Sequence, residues 1–357
     1  MSPVIRECEL LGLDYFMVHT GQHYSYDMDR IFFNDLKLPL PRFNLDVGSG
    51  SHGSQTGAML AGIEGILKVE RPDIVYVQGD TNTVLAGALA ASKLSIRIGH
   101  IEAGLRSFDR SMPEEINRVV ADHVSDLLFA PTAASRSQLL SEGIPENRIF
   151  VTGNTIVDAI RQNMRIADSS DVLERLELSR GSYAISTVHR QENVDDPEIL
   201  SSILKGIGLA SKVLNMPIIL PMHPRTKKVV AERHLLVPAG VRVIEPLGFM
   251  DFLKMEANAA LALTDSGGIQ EECCILGVPC VTMRDNTERP ETVQVGANVL
   301  AGHDSGRICE SASAMIHRDK KWNNPFGDGN SGKRILDITK QYIEDGLFTQ
   351  AITPAYT

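Results

Sequence analysis

The chain has 357 residues, enough for two domains of ordinary size rather than one core. Its composition, 43% hydrophobic, 22% charged and 5% aromatic, is that of a globular protein in water, and no apolar run approaches the length of a membrane span. A formal charge of −10 argues against nucleic acid or an anionic membrane surface as partner, while leaving room for a local anion site.

In chain order, the first element is helical. Pro3 suits a first helical turn, and VIRECELLG follows it with a helical pattern. Arg6, Glu7 and Glu9 within that stretch rule out the apolar core of a secretion signal. A doubly wound domain normally opens with a strand, so a first strand and its loop are expected to be missing ahead of this helix. Apolar runs bounded by Gly, Pro, Asp and Asn then recur: DYFMVHTG, DIVYVQGD, RIGHIEAG, DLLFAPT and RIFVTGN, and later YAISTVHR, PIILPMHP, VRVIEP, ALALTDSGG and PCVTMRD. Most are continuously apolar rather than alternating, which marks strands covered on both faces. The segments between them, such as TVLAGALAASKL and PEILSSILKGIGLASKVL, have helical length and spacing. The alternation predicts α/β architecture with two Rossmann-like domains built on parallel sheets. The polar stretch Arg165–Ser182 separates the two sets of strands. The expected division is residues 1–168, residues 169–333 as a nucleotide-binding domain, and a C-terminal helix and tail, 334–357, that crosses back to the first domain. The five cysteines (Cys8, Cys273, Cys274, Cys280, Cys309) are odd in number, lack metal-ligand spacing, and read as reduced thiols of a cytoplasmic protein.

Several apolar runs end in residues that a core would not choose, and in parallel sheets ligands bind beyond the carboxyl ends of strands. Ser266, Gly267 and Gly268 form a strand-to-helix turn whose backbone N–H groups suit a phosphate or pyrophosphate, although a Gly-rich turn with a serine cap is the plainer alternative. Asp80, Glu102 and Glu114 are expected to converge at one sheet edge, where close carboxylates push one pKa up and divide acid from base. Taken alone, Glu114 and Arg118 are an ordinary i,i+4 helix pair. His189 followed by Arg190 makes a donor pair for phosphate oxygens, and His223 is a weaker case of the same kind. Arg289, in TERPE, offers a cation to a nucleotide or sugar, against the alternative of a charged surface loop. His19 and His23 have i,i+4 spacing, but Gly21 spoils the helical face that a zinc pair needs, so no metal site is expected.

Eight motifs, QGDTNT, GHIEAGLRSFD, MPEEINR, VTGNTIVDA, HRQEN, TDSGGIQEE, MRDNTERPE and NPFGDG, occur in an order that resembles the non-hydrolysing UDP-N-acetylglucosamine 2-epimerases, the archaeal type above all. The resemblance implies a glycosyltransferase-B fold with the ligand in the interdomain cleft. It also implies reversible C2 epimerisation to UDP-N-acetylmannosamine, by elimination of UDP to 2-acetamidoglucal and re-addition. It implies acid–base roles for Asp80, Glu102 and Glu114, with Arg118 and His189 beside the substrate. Ser266, Gly267 and Gly268 correspond to the pyrophosphate turn, Glu272 to a ribose contact, Phe249 to the segment framing the uracil, and Arg289 to the nucleotide site. Gln22 and His23 fall near a second, regulatory ligand site in bacterial relatives. The resemblance further implies a homodimer, UDP-N-acetylglucosamine and UDP as partners, no cofactor, and a product for polysaccharide or glycan synthesis. Relatives open with a strand and a Gly-Thr-Arg-Pro-Glu loop that this sequence does not show. The expectation is therefore a start assigned too late, and poor folding and activity for the chain as written. The alternatives are a hydrolysing 2-epimerase, a glycosyltransferase of the same fold, and a nucleotide-sugar-binding remnant without activity.

Overall fold

The structure, a computed structural model, describes residues 1–21, 33 and 36–344. The chain divides into two units, Met1–Ala159 with Gly327–Thr357, and Ile160–Phe326. The change of unit falls inside a helix, Thr155–Ala167, rather than in the polar stretch after it. That helix is continuous because Val157, Ile160 and Ala167 repeat at helical spacing and are all buried.

The first unit begins with α1 (Ser2–Leu11), entered through Pro3 and closed by Gly12 at φ 63°. It continues through β1 (Val18–His19), β2 (Phe43–Asn44), α2 (His52–Glu70), β3 (Ile74–Gln78), α3 (Asn82–Lys93), β4 (Arg97–Ile101), α4 (Pro113–Val124), β5 (Leu127–Ala130), α5 (Ala133–Ser141), β6 (Ile149–Val151) and α6 (Thr155–Ala167). The four strands β3-β4-β5-β6 form one parallel sheet, and β1 with β2 forms a separate parallel pair. The sequence pattern anticipates β1 and β3 to β6; β2, only two residues long, carries too little pattern to be seen.

The second unit holds α7 (Val172–Arg175), β7 (Ala184–Thr187), α8 (Gln191–Val194), α9 (Pro197–Leu214), β8 (Ile218–Pro221), α10 (Pro224–Glu232), β9 (Val241–Ile244), α11 (Phe249–Asn258), β10 (Leu261–Thr264), α12 (Gly267–Leu276), β11 (Cys280–Thr282), α13 (Pro290–Gln294), β12 (Asn298–Leu300) and α14 (Ser305–Met315). Its sheet is parallel throughout, in the order β12-β11-β10-β7-β8-β9. The order reverses direction between β7 and β10, which is the switch point where doubly wound sheets open a crevice. The last helix, α15 (Ser331–Glu344), belongs to the first unit.

Each main sheet is covered on both faces, as its continuously apolar strands require. In the second unit, Leu200, Ile203, Leu204 and Ile207 of α9 pack with Ile308 and Ala312 of α14 on one side. Tyr183, Met255, Cys273 and Cys280 fill the other. Each large aliphatic side chain so placed contributes roughly 1.5–3 kcal/mol relative to exposure. In the first unit, α2 and α3 supply Met59, Ile63, Ala86 and Ala90 to one cluster. Val4 and Cys8 of α1 meet Ile335 and Leu336 of α15, together with Phe129 of β5, in the other. Among the described residues no helix is long and apolar enough to cross a membrane.

Candidate active site

Asp80 lies just past the end of β3, after Gly79 at φ 82°, and Glu102 lies just past β4, itself at φ 69°. The register sets Gln78 opposite Ile101, so both carboxylates leave the sheet at the carboxyl ends of neighbouring strands. Gln78 Nε2 donates to Glu102 Oε1 at 2.6 Å, and a methyl group placed on Gly79 would stand 3.9 Å from Glu102 Oε2. The first turn of α4 carries Glu114, and the same helix ties itself to the Asp80 turn through Asn117, whose Nδ2 donates to the Asp80 carbonyl at 2.9 Å.

The anticipated pairing of Glu114 with Arg118 is corrected here. Arg118 turns to Glu115, donating from Nη1 to Oε2 at 2.7 Å, and its Nη2 pairs with Asp80 Oδ2. Glu115 wins because its carboxylate is already fixed: it accepts from Ser107 N and Oγ, both at 2.8 Å, and from Phe108 N at 3.1 Å. Burial opposes that charge, but the Ser107 hydrogen bonds and the Arg118 guanidinium hold the Glu115 carboxyl below its usual range. Arg118 is thereby a buried bridge between a structural carboxylate and a half-exposed one, Asp80. Gln22 and His23 lie outside the described residues.

In the second unit the polar residues gather at the switch point. His189 and Arg190 follow β7, while Asp265 and Ser266 follow β10, and Thr187 sits opposite Thr264 in the register. Asp265 is fully buried and organises this corner. It accepts from His189 N and Arg190 N, each at 2.9 Å, from Asn193 Nδ2 at 3.2 Å, and from His189 Nδ1 at 2.8 Å. Burial raises the Asp265 pKa, but the bonds from His189 and the two backbone N–H groups outweigh it and hold the carboxyl low. Because Nδ1 must donate to that carboxylate, Nε2 of the half-exposed imidazole is the nitrogen left to face a ligand.

Beside it, Gly267 and Gly268 open α12 behind the N-cap Ser266. A methyl on Gly267 would stand 3.9 Å from Arg190 Nη2 and 3.7 Å from Glu288 Oε2. A helix N-terminus with a guanidinium over it suits an anion, and the glycine leaves room for one. The buried Arg284 grips Glu288 in two bonds, at 3.0 and 2.9 Å. Against the penalty of burial, that grip keeps Glu288 ionised, with a pKa of about 2, so this carboxylate is balanced and leaves Arg190 to serve an incoming anion.

The remaining expected residues are placed as follows. His223 follows β8 and caps α10, its Nδ1 accepting from Arg225 N at 3.2 Å. Burial first, then the neighbouring His189 and Arg225, lowers its pKa and favours neutral imidazole. Phe249 begins α11. Glu272, on α12, faces Glu256 of α11; both pKa values are raised, by burial first and, for Glu256, by the neighbouring Glu272 charge as well. Arg289 is engaged by Glu271 Oε1 at 2.9 Å. Sequence reasoning missed Asp265, Glu115 and Asn117 as site-builders, although each stands within one of the eight motifs: TDSGGIQEE for the first, MPEEINR for the others.

Two α/β units on parallel sheets, with polar residues clustered at the carboxyl ends of their strands, define a protein of the glycosyltransferase-B type. The family profile described as UDP-N-acetylglucosamine 2-epimerase matches residues 7–340. The chain is 53% identical over 345 residues to the UDP-N-acetylglucosamine 2-epimerase of Methanocaldococcus jannaschii, spanning 95% of this chain and 94% of that one. It is 42% identical over 328 residues to the UDP-2,3-diacetamido-2,3-dideoxy-D-glucuronate 2-epimerase of Pseudomonas aeruginosa, covering 91% of each. A crystal structure of the M. jannaschii UDP-GlcNAc 2-epimerase in complex with UDP-GlcNAc and UDP is similar with a TM-score of 0.88 over 95% of both chains. The chain belongs to the UDP-N-acetylglucosamine 2-epimerase family.

Proposed function

We propose that the protein interconverts UDP-N-acetylglucosamine and UDP-N-acetylmannosamine without net hydrolysis. The observation that carries this reading is the anion site at the switch point, where the α12 N-terminus, Arg190 and the Asp265-oriented His189 stand together. Such a site suits a diphosphate that must be held after it leaves the sugar. The carbon that inverts, C2, has no adjacent carbonyl to acidify its proton, so direct abstraction and return is slow. Elimination solves this: a base takes the C2 proton, the C1–O bond breaks with its electron pair going to UDP, and 2-acetamidoglucal remains. A proton then reaches C2 from the opposite face and the UDP oxygen rejoins C1. Atoms balance, and no net oxidation occurs.

Asp80, Glu102 and Glu114 are the acid–base groups of this scheme, each role contributing roughly 10²–10⁴-fold. Arg118 pairs with the Asp80 carboxylate and holds it in place as a base. His189 meets the diphosphate through Nε2, and Ser266, Gly267 and Gly268 supply backbone N–H groups. Glu272, Phe249, His223 and Arg289 complete the nucleotide end.

The test is incubation of the purified chain with UDP-N-acetylglucosamine in D₂O, followed by proton NMR. UDP-N-acetylmannosamine carrying deuterium at C2 is the expected product. Free N-acetylmannosamine with UDP would replace this reading by the hydrolysing one. No turnover, with conversion of UDP-2,3-diacetamido-2,3-dideoxy-D-glucuronate instead, would transfer the chain to the specificity of its Pseudomonas relative.

A further inference from the structure

His100, in the middle of the motif GHIEAG, lies one residue from the end of β4 and is fully buried. Its Nδ1 stands 2.6 Å from Asp122 Oδ1, and its Nε2 stands 2.9 Å from the Gly79 carbonyl oxygen. A carbonyl oxygen can only accept a hydrogen bond. Asp122 is also an acceptor, because its other oxygen takes Arg106 Nη2 at 2.7 Å and Gly104 N at 3.2 Å. Neutral imidazole has one N–H and one lone pair, so either neutral tautomer would set a lone pair against an acceptor at hydrogen-bond distance, on a ring with no exposed surface. The doubly protonated ring satisfies both.

We propose that His100 is a buried imidazolium that acts as a positioning residue, clamping the Gly79 carbonyl and so fixing the turn that presents Asp80. The turn is pinned at each peptide. Gly79 N donates to Ile101 O at 3.1 Å, Gly79 O receives His100, and Asp80 O receives Asn117. Asn117, Arg118 and Asp122 all come from α4, so one helix holds the Asp80 backbone, the Asp80 carboxylate and the clamp itself.

The charges around the ring favour the cation. Asp122 faces it from α4, and Glu102 stands just past the same strand. Arg106 lies on the far side of Asp122, paired in turn with Glu142 at 2.8 and 2.6 Å. Burial works against the imidazolium, but the Asp122 charge, the bonds to Asp122 and Gly79, and then Glu102 outweigh it and raise the His100 pKa. Asp122 is held low in the same way, against burial, by His100 and Arg106.

Two measurements test the clamp, and only the second rests on the function proposed above. In the intact chain labelled with ¹⁵N-histidine, long-range imidazole correlations are recorded between about pH 6 and pH 8, with His100 assigned by its loss in His100→Asn. Both ring nitrogens of His100 are expected to show protonated shifts throughout; an unprotonated ring nitrogen at neutral pH overturns the proposal. The second compares two amides. Gln places its NH₂ where Nε2 was and keeps the donor to Gly79, whereas Asn places it where Nδ1 was and drops the clamp. Expected is a loss in kcat of about 10²-fold for His100→Asn, with KM nearly unchanged, and within about tenfold of wild type for His100→Gln. Equal losses in two variants that melt alike would overturn the clamp. If the wild-type chain turns over no UDP-N-acetylglucosamine, the substrate reading falls and the NMR result alone decides the clamp.

Discussion

Replacing Asp265 by Asn removes one charge and almost no volume, at a residue with no exposed surface. The carboxylate receives four donors: His189 N, Arg190 N, Asn193 Nδ2 and His189 Nδ1. Three of them meet Oδ2, so an amide with its oxygen there keeps those three and turns its NH₂ against the fourth, His189 Nδ1. One buried donor left unmet costs roughly 1–3 kcal/mol, which is the expected destabilisation. For a domain of this size that lowers the melting temperature by roughly 2–10 °C. The wild-type carboxyl is held low in the native state, so its stabilisation is present above the ordinary carboxylate pKa and is lost as pH falls through the native value. The difference in melting between the two proteins should therefore narrow below about pH 4. Catalysis suffers separately, since Asn can hold the wrong tautomer of His189 and turn its Nε2 into the protonated nitrogen. A fall in kcat of roughly 10²–10³-fold is expected below the melting range, read by epimer formation, with KM changed far less. A variant that melts like the wild type and turns over normally would refute the reasoning, because no buried carboxylate with these partners can be neutral to both.

Arg118→Lys keeps a charge but cannot bridge Asp80 and Glu115 together, so kcat should drop about 10²-fold while thermal melting changes modestly; wild-type turnover would remove Arg118 from the machinery. Gly267→Ala adds a methyl with no clash shorter than 3.7 Å, so stability should hold within about 1 kcal/mol, yet calorimetric affinity for UDP should fall at least about tenfold if the diphosphate sits there. Glu256→Gln replaces a carboxyl whose folded pKa is raised by burial and by Glu272. A raised acid is lost as a stabiliser while pH climbs from the ordinary carboxylate value towards the folded one, so the variant should gain melting temperature relative to wild type between about pH 5 and pH 8. A constant difference across that range would mean that Glu256 is ionised in the folded protein.

The architecture was legible because continuously apolar strands suit little besides a sheet covered on both faces, and LLFA and LALT are indeed buried at every position. The switch point was half legible. The polar ends HRQEN and TDSGG could be seen to end strands, but their adjacency depends on β7 pairing with β10, across β8 and β9 in the chain, and no local pattern states that pairing. Roles within a motif were harder still. Glu114 and Glu115 have the same chemistry at adjacent positions, and helical spacing favours Glu114 as the partner of Arg118. What decides for Glu115 is a loop, Ser107 to Phe108, whose backbone donors meet its carboxylate, and loop course is not written in periodicity. Asp265 and His100 escape sequence reasoning on related grounds. Both are buried polar residues whose partners lie on other elements, and a buried polar residue shows its purpose only through those partners.

The net charge of −10 and the proposed anion site are compatible because the two act over different distances. At physiological ionic strength, fields from exposed surface carboxylates fade within about 8 Å, while a ligand at the α12 N-terminus meets unscreened N–H groups at contact. What matters there is the balance of nearby fixed charge. Glu288 is met by Arg284 in two bonds and Asp265 by His189 and backbone donors, so the acidic groups of that corner are largely compensated before a ligand arrives. Arg190 and the helix end are then left as a local positive potential in an acidic protein. It follows that affinity for UDP should depend only weakly on salt, since the contributing charges are close and partly buried. Titrations at about 50 and 500 mM NaCl are expected to agree within about threefold. A fall of tenfold or more would mean that long-range attraction, and not the built site, captures the diphosphate.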